Sequence, residues 1–335
     1  MSRRVAVVGA TFGAHYAKAL QRSDSPVTLD CVVGVGGRHS RALAADCDVP
    51  LRTLDELTPD QVDAAVVAVR SQIVGGAGDE IARILLGRRI EVLQELPVHP
   101  DDLITSLRAA RAGGARFRVN PFYTHLDAVR ALVADTAALR TEAPVHHVLV
   151  RTCTQTLHAS LFVLADLLAG PPPRHAAVHP GRGSHLVRLE WAEVDVNLVV
   201  SARLDPQDPD NLSQPLMAFT ISHADGEMHL DHPHGVLRWL PRPHVVDGRP
   251  VREDDPTEVL LDTRPEPTHG QVIDEQWPPA IHRALVDLFE GTDVQLPRHL
   301  AVLRLWTSIS AQLPPATPVR AEAPTCRVGL LKEVR

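Results

Sequence analysis

The chain has 335 residues, enough for two domains that each bury a sizeable core. Its 41 acidic residues outnumber its 34 lysines and arginines, and the net charge of −7 argues against a general nucleic-acid-binding role. No apolar run reaches the roughly 18 residues that a membrane span needs. A strand pattern starts within the first few residues, so we expect no signal peptide and a cytoplasmic location.

The first residues predict a buried strand, a glycine turn and a helix in direct succession. Residues 5–13 read Val-Ala-Val-Val-Gly-Ala-Thr-Phe-Gly, and helical sequence follows over residues 14–20. In this context the free N–H groups of the helix N-terminus face a pyrophosphate. The match to G-x-G-x-x-G is incomplete, because Thr11 and Ala14 hold the second and third glycine positions. We interpret the turn as a dinucleotide site, the alternative being a structural βα turn. The residues assigned to this site are Gly9, Thr11, Phe12 and Gly13.

The second predicted strand, residues 29–35, indicates which dinucleotide binds. Sites that prefer NAD place an acidic residue near the end of this strand, to accept from the ribose 2′-OH. Here the chain continues Gly-Gly-Arg-His-Ser-Arg, without an acid. Arg38 and Arg41 would pair with a 2′-phosphate, and Ser40 would donate to it. We therefore favour NADPH as the cofactor; the alternative is a basic, solvated helix start.

The first 120 residues alternate between strands and helices, which predicts a doubly wound α/β fold with a parallel Rossmann sheet. The further predicted strands are 62–69, 90–93 and 117–119, and the further helices are 77–86 and 101–112. The apolar run over 62–69 is typical of a parallel strand that is buried on both faces.

The second half alternates apolar and polar residues, which predicts a mainly antiparallel sheet with one covered face. The predicted strands are 145–151, 185–191, 194–203 and 216–223. A helix over 157–169 would cover this sheet, and two more helices are predicted over 280–290 and 298–312. Proline-rich segments predict loops at 171–173, 205–215, 241–256 and 263–279. We expect a cofactor domain over 1–121, a substrate and oligomerisation domain over 122–313, and a loose tail over 314–335.

Cysteine and lysine usage excludes several kinds of site. The four cysteines lack C-x-x-C spacing, so we expect reduced thiols and neither a disulfide framework nor a metal site. They are Cys31, Cys47, Cys153 and Cys326. The only lysines are Lys18 in the first helix and Lys332 near the C-terminus. No lysine therefore lies in a segment predicted to carry chemistry.

Three segments follow strands at the carboxyl edge of the predicted parallel sheet, where such sheets bind ligands. They are 69–71, 94–100 and 120–125. The order of features resembles the Gfo/Idh/MocA (glucose-fructose oxidoreductase/inositol dehydrogenase) superfamily. These features are a Rossmann domain, then Glu-x-Pro after the fourth strand, then a mainly antiparallel domain.

One branch is more similar still, the thiazolinyl imine reductases of siderophore assembly lines. The similar motifs cover the first 130 residues, and the remainder matches only in architecture. They are Gly-Ala-x-Phe-Gly at 9–13, Val-Arg-Ser at 69–71, Val-Gly-Gly at 74–76, Val-Leu-Gln-Glu-x-Pro-Val-His-Pro at 92–100 and Val-Asn-x-Phe-Tyr-x-His-Leu at 119–126.

The resemblance implies an NADPH-dependent reduction of a thiazoline C=N to a thiazolidine. The substrate would be a thioester on a carrier protein of a nonribosomal peptide synthetase, and the enzyme a homodimer. Sugar dehydrogenases of the superfamily carry Glu-Lys-Pro, whose lysine takes part in proton transfer. Here Leu96 replaces that lysine, which disfavours alcohol oxidation by that mechanism. The imine reductase branch often has histidine at this position, so a donor role assigned to that histidine does not carry over either.

The proton donor is therefore sought elsewhere. Tyr123 matches the Phe-Tyr-x-His motif of the branch, and a phenol within about 3 Å can protonate the nitrogen; alternatively it packs at the domain junction. His125 and His158 are lesser candidates, the latter because the superfamily often uses a histidine from the equivalent helix. His99 and solvent are further alternatives.

The remaining assignments concern the cofactor. Arg70 and Ser71 would contact the adenosine or pyrophosphate, unless Arg70 forms a surface ion pair. Glu95 would orient the nicotinamide region or satisfy backbone donors. Pro97 would follow a cis peptide, as in the superfamily, or be an ordinary loop proline. Asn120 would bond the nicotinamide carboxamide or cap the turn.

Two other functions stay open. One is a stand-alone oxidoreductase for a small imine, enamine or carbonyl compound. The other is a non-catalytic NADP-binding sensor or scaffold. The loops at 205–214 and 241–256 would line the substrate cleft, dock a carrier or be surface excursions. Docking an acidic carrier would need a basic patch, for which the candidates are Arg238, Arg242 and Arg249.

Overall fold

The computed structural model describes most of the chain. The described residues are 2–168, 170–205, 207, 214–262, 266–292 and 295–320. Most of the loop at 205–214 and of the tail, with Cys326 and Lys332, lies outside them.

The N-terminal half forms a six-stranded sheet with the order β3-β2-β1-β4-β5-β6, in which every neighbouring pair is parallel. The strands are β1 (Arg3–Val8), β2 (Val27–Val33), β3 (Leu51–Arg52), β4 (Ala64–Val67), β5 (Glu91–Glu95) and β6 (Phe117–Asn120). The helices are α1 (Gly13–Leu20), α2 (Arg38–Asp46), α3 (Gly78–Gly87) and α4 (Pro100–Gly113). All four residues of β4 are buried, which fits the predicted central strand. The predicted parallel Rossmann sheet is confirmed.

The second sheet has eight strands in the order β17-β14-β13-β12-β7-β10-β9-β8. The strands are β7 (Val145–Cys153), β8 (Ala177–His179), β9 (Ser184–Trp191), β10 (Val194–Ser201), β12 (Met217–His223), β13 (Gly226–Leu230), β14 (Leu237–Pro241) and β17 (Val259–Leu260). β7 and β10 pair in parallel, and the other neighbours are antiparallel. Exposed and buried residues alternate strictly along β9, as the sequence pattern predicted. The predicted mainly antiparallel sheet is confirmed.

Two helices cover one face of this sheet. α6 (Leu157–Leu167) is the predicted covering helix and packs against β7. α5 (Asp127–Leu139) packs against β13 and β14 and was not predicted. Its buried residues Val129, Leu132 and Thr136 follow helical spacing, so the signal was present in the sequence.

Two segments predicted as loops contain regular structure. A short helix, α7 (His269–Gln271), and a π-helical turn over Val272–Gln276 precede α8 (Trp277–Glu290). Within the segment 241–256, β15 (Val245–Val246) pairs with β16 (Arg249–Pro250). Proline is compatible with both, because α8 has a proline in its first turn and β16 is one of only two strands in its sheet.

The C-terminal helices return to the N-terminal half. α8 packs against α1, β5 and β6, and the His282 ring nitrogen donates to the carbonyl of Ala19 at 2.9 Å. α9 (Leu296–Gln312) packs against α4 and α6. α8 and α9, which were predicted to belong to the second domain, thus complete the packing of the cofactor domain.

The beginning of the tail is ordered, in contrast to the prediction of a loose segment from residue 314. β18 (Thr317–Pro318) pairs in parallel with β11 (Arg203–Leu204). Thr317 donates its N–H to the carbonyl of Ala202 at 2.7 Å. These backbone bonds tie the chain to the end of β10.

Three of the cysteines lie in the described residues, and all three are buried and free. Burial raises the pKa of Cys31 to about 12 and also raises the pKa of Cys47. Within the described part of the chain, no helix is both long and apolar enough to cross a membrane.

Candidate functional site

The glycine turn has the geometry that close approach of a phosphate requires. Gly9 has φ +102°, and a Cβ there would lie 2.8 Å from the carbonyl oxygen of Ala68. A Cβ on Gly13 would lie 3.0 Å from Val7 Cγ1, so the helix start packs tightly on β1. Phe12 precedes α1, and no side chain caps its first turn. The N–H groups of Ala14 and His15 donate to the carbonyls of Thr11 and Phe12 at 3.3 and 3.0 Å, and no side chain competes with an anionic ligand at this end of α1.

The chain after β2 places two cations and one buried hydroxyl at the start of α2. Arg38 and Arg41 are exposed, and Gly37 precedes the helix without a side-chain cap. Ser40 differs from its predicted role, since its hydroxyl is buried and donates to the carbonyl of Gly37 at 3.0 Å. Arg38 and Arg41 are thus exposed and accessible to a ligand here, whereas the Ser40 side chain is not.

The loops after β4 and β5 are tied together. The Ser71 hydroxyl is buried and donates to the carbonyl of Pro97, whereas Arg70 is exposed. Asp79 is buried and accepts from the backbone of Gln72 and the side chain of Gln94, both at 2.7 Å. Ser71 and Asp79 thus fix the carboxyl edge of the sheet, and sequence reasoning missed Asp79.

The peptide bond between Leu96 and Pro97 is cis, as predicted. Leu96 itself is partly buried and packs against the core. His99 has a structural role, because its Nδ1 accepts the N–H of Asp101 at 3.2 Å and caps α4.

Glu95 at the end of β5, Asn120 at the end of β6 and Tyr16 within α1 form a largely buried hydrogen-bonded group. The Tyr16 hydroxyl donates to Glu95 Oε1, and Asn120 Nδ2 donates to the same oxygen at 2.8 Å and to the Tyr16 oxygen. Burial raises the pKa of Glu95 to about 7, although these donors act to lower it. Asn120 Oδ1 is buried and has no hydrogen-bond partner in the part of the chain that the structure describes. The sequence analysis gave Tyr16 no role, because its partners lie 79 and 104 residues away.

Tyr123 lies beside this group. Burial raises the pKa of its phenol well above the ordinary value, and the Glu95 carboxylate acts in the same direction. The phenol is thus protonated at neutral pH and can donate a proton or a hydrogen bond. The structure therefore brings the predicted donor near Glu95.

An aromatic cluster joins the glycine turn to the second half of the chain. The ring of Trp277 lies 5.7 Å from Phe12, 4.7 Å from His15 and 5.3 Å from Phe122, measured between centroids. The ring of His234 lies 6.3 Å from Trp277 and 6.3 Å from Tyr123. Sequence reasoning missed Trp277 and His234, because they follow the predicted Rossmann domain by more than a hundred residues.

The two histidines predicted as lesser donors lie in other surroundings. His125 lies near Arg130, Arg283 and His299, and burial together with these arginines lowers its pKa to about 4. It lines a cavity of about 740 Å³ beside α8 and α9. His158 packs edge-on against Trp306 of α9, with centroids 5.9 Å apart, and burial lowers its pKa to about 4. Both rings are thus neutral at pH 7 and are poor proton donors.

The residues present fit a bound dinucleotide. The turn at Gly9 leaves no room for a Cβ, the start of α1 has no side-chain cap, and Asn120 presents an unpartnered carbonyl oxygen. The groups that would hold it are the backbone at Gly9 to Gly13, Arg38 and Arg41, and the Glu95–Asn120 group.

Comparison with known proteins agrees with this interpretation. Residues 3–121 match the family model described as "Oxidoreductase family, NAD-binding Rossmann fold" (GFO_IDH_MocA). No curated protein sequence matches the chain.

Solved structures share the fold over nearly the whole chain. GenD2 from gentamicin A biosynthesis, solved with NAD, is 16% identical with a TM-score of 0.67, and the match covers 92% of this chain and 93% of that one. An oxidoreductase from Agrobacterium radiobacter, solved with NAD⁺, L-tartaric acid and magnesium, is 10% identical with a TM-score of 0.68, covering 93% and 95%. Levoglucosan dehydrogenase, solved with NADH and levoglucosan, is 9% identical with a TM-score of 0.68, covering 93% and 97%.

The family model matches the Rossmann half of the chain, and the solved structures share its fold, a Rossmann domain followed by a mainly antiparallel second domain.

Proposed function

We propose that the chain is an NADPH-dependent reductase of a thiazoline C=N in a nonribosomal peptide intermediate tethered to a carrier protein. The observation that carries the proposal is that Leu96 stands where a catalytic lysine would stand, while a partly buried Tyr123 near Glu95 is protonated at neutral pH. A site with a neutral hydroxyl donor and no lysine suits protonation of an imine nitrogen better than deprotonation of an alcohol.

The protein groups have three tasks in this reaction. When bound, NADPH supplies the hydride to the imine carbon. The turn at Gly9 and the start of α1 bind the phosphates, and Arg38 and Arg41 bind the 2′-phosphate. Glu95 and Asn120 orient the nicotinamide end, and Tyr123 donates the proton to the ring nitrogen. The resulting tyrosinate then takes a proton from solvent, since a phenoxide is a strong base here.

A carrier-protein substrate needs a docking surface that tolerates acidic partners. Two of the three arginines proposed for it are paired, because Arg238 contacts Asp231 and Glu258, and Arg249 contacts Glu253 at 3.3 Å. The three arginines therefore do not form a free basic patch, and we infer that the carrier docks elsewhere.

A second candidate is a stand-alone oxidoreductase of a small polyol or carbonyl compound. Its support is the fold shared with levoglucosan dehydrogenase and with the oxidoreductase that binds L-tartaric acid. Leu96 argues against this candidate for the lysine-dependent mechanism. A non-catalytic NADP-binding scaffold would bind NADPH and turn over neither class.

The test is NADPH oxidation measured with a free thiazolinyl thioester analogue and with the same group loaded on a carrier protein. A panel of sugars and polyols is assayed in the oxidative direction at matched enzyme concentration. Turnover of the thiazoline alone supports the proposal, and a large preference for the loaded carrier supports tethering. Turnover of polyols alone contradicts it.

We also propose a homodimer formed through the face of the second sheet that α5 and α6 leave uncovered. A measurement of molecular mass in solution tests this proposal.

A further inference from the structure

The loop between β13 and β14 places a histidine beside Tyr123, with ring centroids 6.3 Å apart. His234 is 4% exposed, and its position is fixed through its backbone. Gln276 donates to its carbonyl at 3.3 Å, and its own N–H donates to His232 Nδ1 at 3.3 Å. The loop is thereby fastened to the residues that lead into α8.

Hydrogen bonding fixes the tautomer of this ring. Trp277 Nε1 lies 3.0 Å from His234 Nε2. An indole N–H is a donor only, so Nε2 of His234 accepts and the proton of the neutral ring sits on Nδ1. Burial and the neighbouring His232 and His269 lower the pKa of His234 to about 3, so the ring stays neutral at working pH.

The Nδ1–H group of this ring has no partner among the described residues. His234 Nδ1 is buried and forms no hydrogen bond with any of them. Buried donors in native proteins are nearly always paired, and an unpaired one calls for an explanation. The hydrogen bond from Trp277 to Nε2 already orients the ring. A purely structural role for His234 therefore does not explain its buried Nδ1–H group.

The surroundings of His234 connect it with the site rather than with the core. Its ring lies 6.3 Å from the ring of Tyr123, the proposed proton donor. Trp277, which fixes its tautomer, lies 5.7 Å from Phe12 in the glycine turn. His234 thus lies between the cofactor turn and the proposed donor.

We propose that His234 is a substrate-binding residue whose Nδ1–H donates a hydrogen bond to an acceptor atom of the thiazoline substrate. The assignment rests on the proposed function. The substrate would complete the one bond that the protein leaves open, and Tyr123 would be left free for proton transfer. An analogue without that acceptor would leave the donor unpaired and bind more weakly.

Two substitutions separate the ring nitrogens. His234→Asn keeps an N–H near the position of Nδ1, whereas His234→Gln keeps a polar atom near Nε2 for Trp277 and loses the Nδ1 donor. We expect His234→Gln to raise the KM for the thiazolinyl thioester analogue by about tenfold, the usual cost of one hydrogen bond. His234→Asn should stay within about threefold of wild type. Both variants should bind NADPH within about twofold of wild type.

Equal KM values for the two variants, or a His234→Gln variant like wild type, would overturn the assignment while leaving the reductase proposal intact. A wild-type protein that does not turn over the thiazoline overturns both. If either variant fails to fold, ¹⁵N-histidine labelling of the wild type decides. The assignment expects the Nδ1–H resonance of His234 to shift on adding the substrate analogue to the NADP⁺ complex, and an unmoved resonance contradicts it.

Discussion

Single residues in this site owe their charge state to burial more than to charged partners. Glu95 accepts from two side chains and still has its pKa raised to about 7, because desolvation outweighs the donors. Tyr123 and the neighbouring His234 are likewise held neutral. A site made of neutral donors is suited to a substrate that gains a proton on nitrogen.

The first prediction at this scale concerns the pH dependence of stability. The pKa of Glu95 is raised in the folded protein above its ordinary value of 4.5, so its favourable contribution is full below that pH. That contribution is lost as pH rises towards about 7. Glu95→Gln removes this loss, so the Tm of wild type should fall relative to the variant between pH 5 and pH 8.

Thermal melts of both proteins at one-unit pH steps test this. The buried histidines titrate in both proteins, so they cancel in the difference. A difference in Tm that is constant across this range would show that Glu95 is ionised normally.

The second prediction concerns the donor. Tyr123→Phe removes the phenol hydroxyl with its acidic proton, and it should lower kcat by about 10² or more, with NADPH affinity unchanged. Stopped-flow reduction and NADPH titration measure the two quantities separately. An unchanged kcat would assign protonation to solvent.

The third prediction concerns cofactor choice. Arg38→Ala should raise the KM for NADPH by about tenfold and leave that for NADH nearly unchanged, since only NADPH carries the 2′-phosphate. Arg108→Ala, an exposed arginine on α4, is the matched control. Equal effects on both cofactors would remove the NADPH assignment.

Among the secondary-structure elements, the β1–α1 unit shapes the cofactor site, because the backbone at Gly9 packs closely against the backbone at Ala68. A Cβ there would lie 2.8 Å from the Ala68 carbonyl, and φ is +102°. Gly9→Ala should therefore lower Tm and weaken NADPH binding together, by at least tenfold in Kd. Gly87→Ala is the control, because a Cβ at that helical position meets nothing within 4 Å. A Gly9→Ala protein with normal NADPH affinity would show that the turn does not contact the cofactor.

The elements of the parallel sheet could be predicted because each leaves a local signal. Buried apolar runs and helix periodicity located β1, β2, β4, β5 and β6 and the helices between them. β13 and β14 left a weaker signal, since glycine, histidine and proline interrupt the sequence between residues 223 and 243. The loop with His234 lies between these two strands, so the sequence did not indicate it.

The candidate site was predictable to the extent that it follows strands of the parallel sheet. Glu95 and Asn120 are the last residues of β5 and β6, and Tyr123 follows β6 closely, so the sequence predicted all three at one edge of the sheet. Tyr16 and Trp277 reach the same place from other elements. Only the tertiary packing of α1 and α8 brings them there, and no spacing along the chain encodes it.

Considered as a whole, the molecule is held together by a helix that crosses between its halves. α8 packs on α1, β5 and β6, and Arg283 on it donates to the His125 carbonyl at 2.5 Å and to Asp127. Leu285 on this helix is fully buried, whereas its neighbour Val286 is 38% exposed.

Leu285→Ala should lower the free energy of unfolding by about 2–5 kcal/mol, through lost burial and the cavity it leaves. Val286→Ala should cost well under half of that. Chemical denaturation followed by fluorescence and by NADPH binding tests this, and we expect both signals to change in one transition. Separate transitions would mean that α8 does not couple the two halves.

The late position of α8 in the chain has a consequence for synthesis on the ribosome. The parallel sheet is complete in sequence at Asn120, but the helix that covers α1 begins at Trp277. During translation the nascent cofactor domain therefore exposes an apolar flank to solvent until the rest of the chain has emerged. We expect ribosome-associated chaperones to bind stalled chains that end between these two points and to release chains that extend past Glu290.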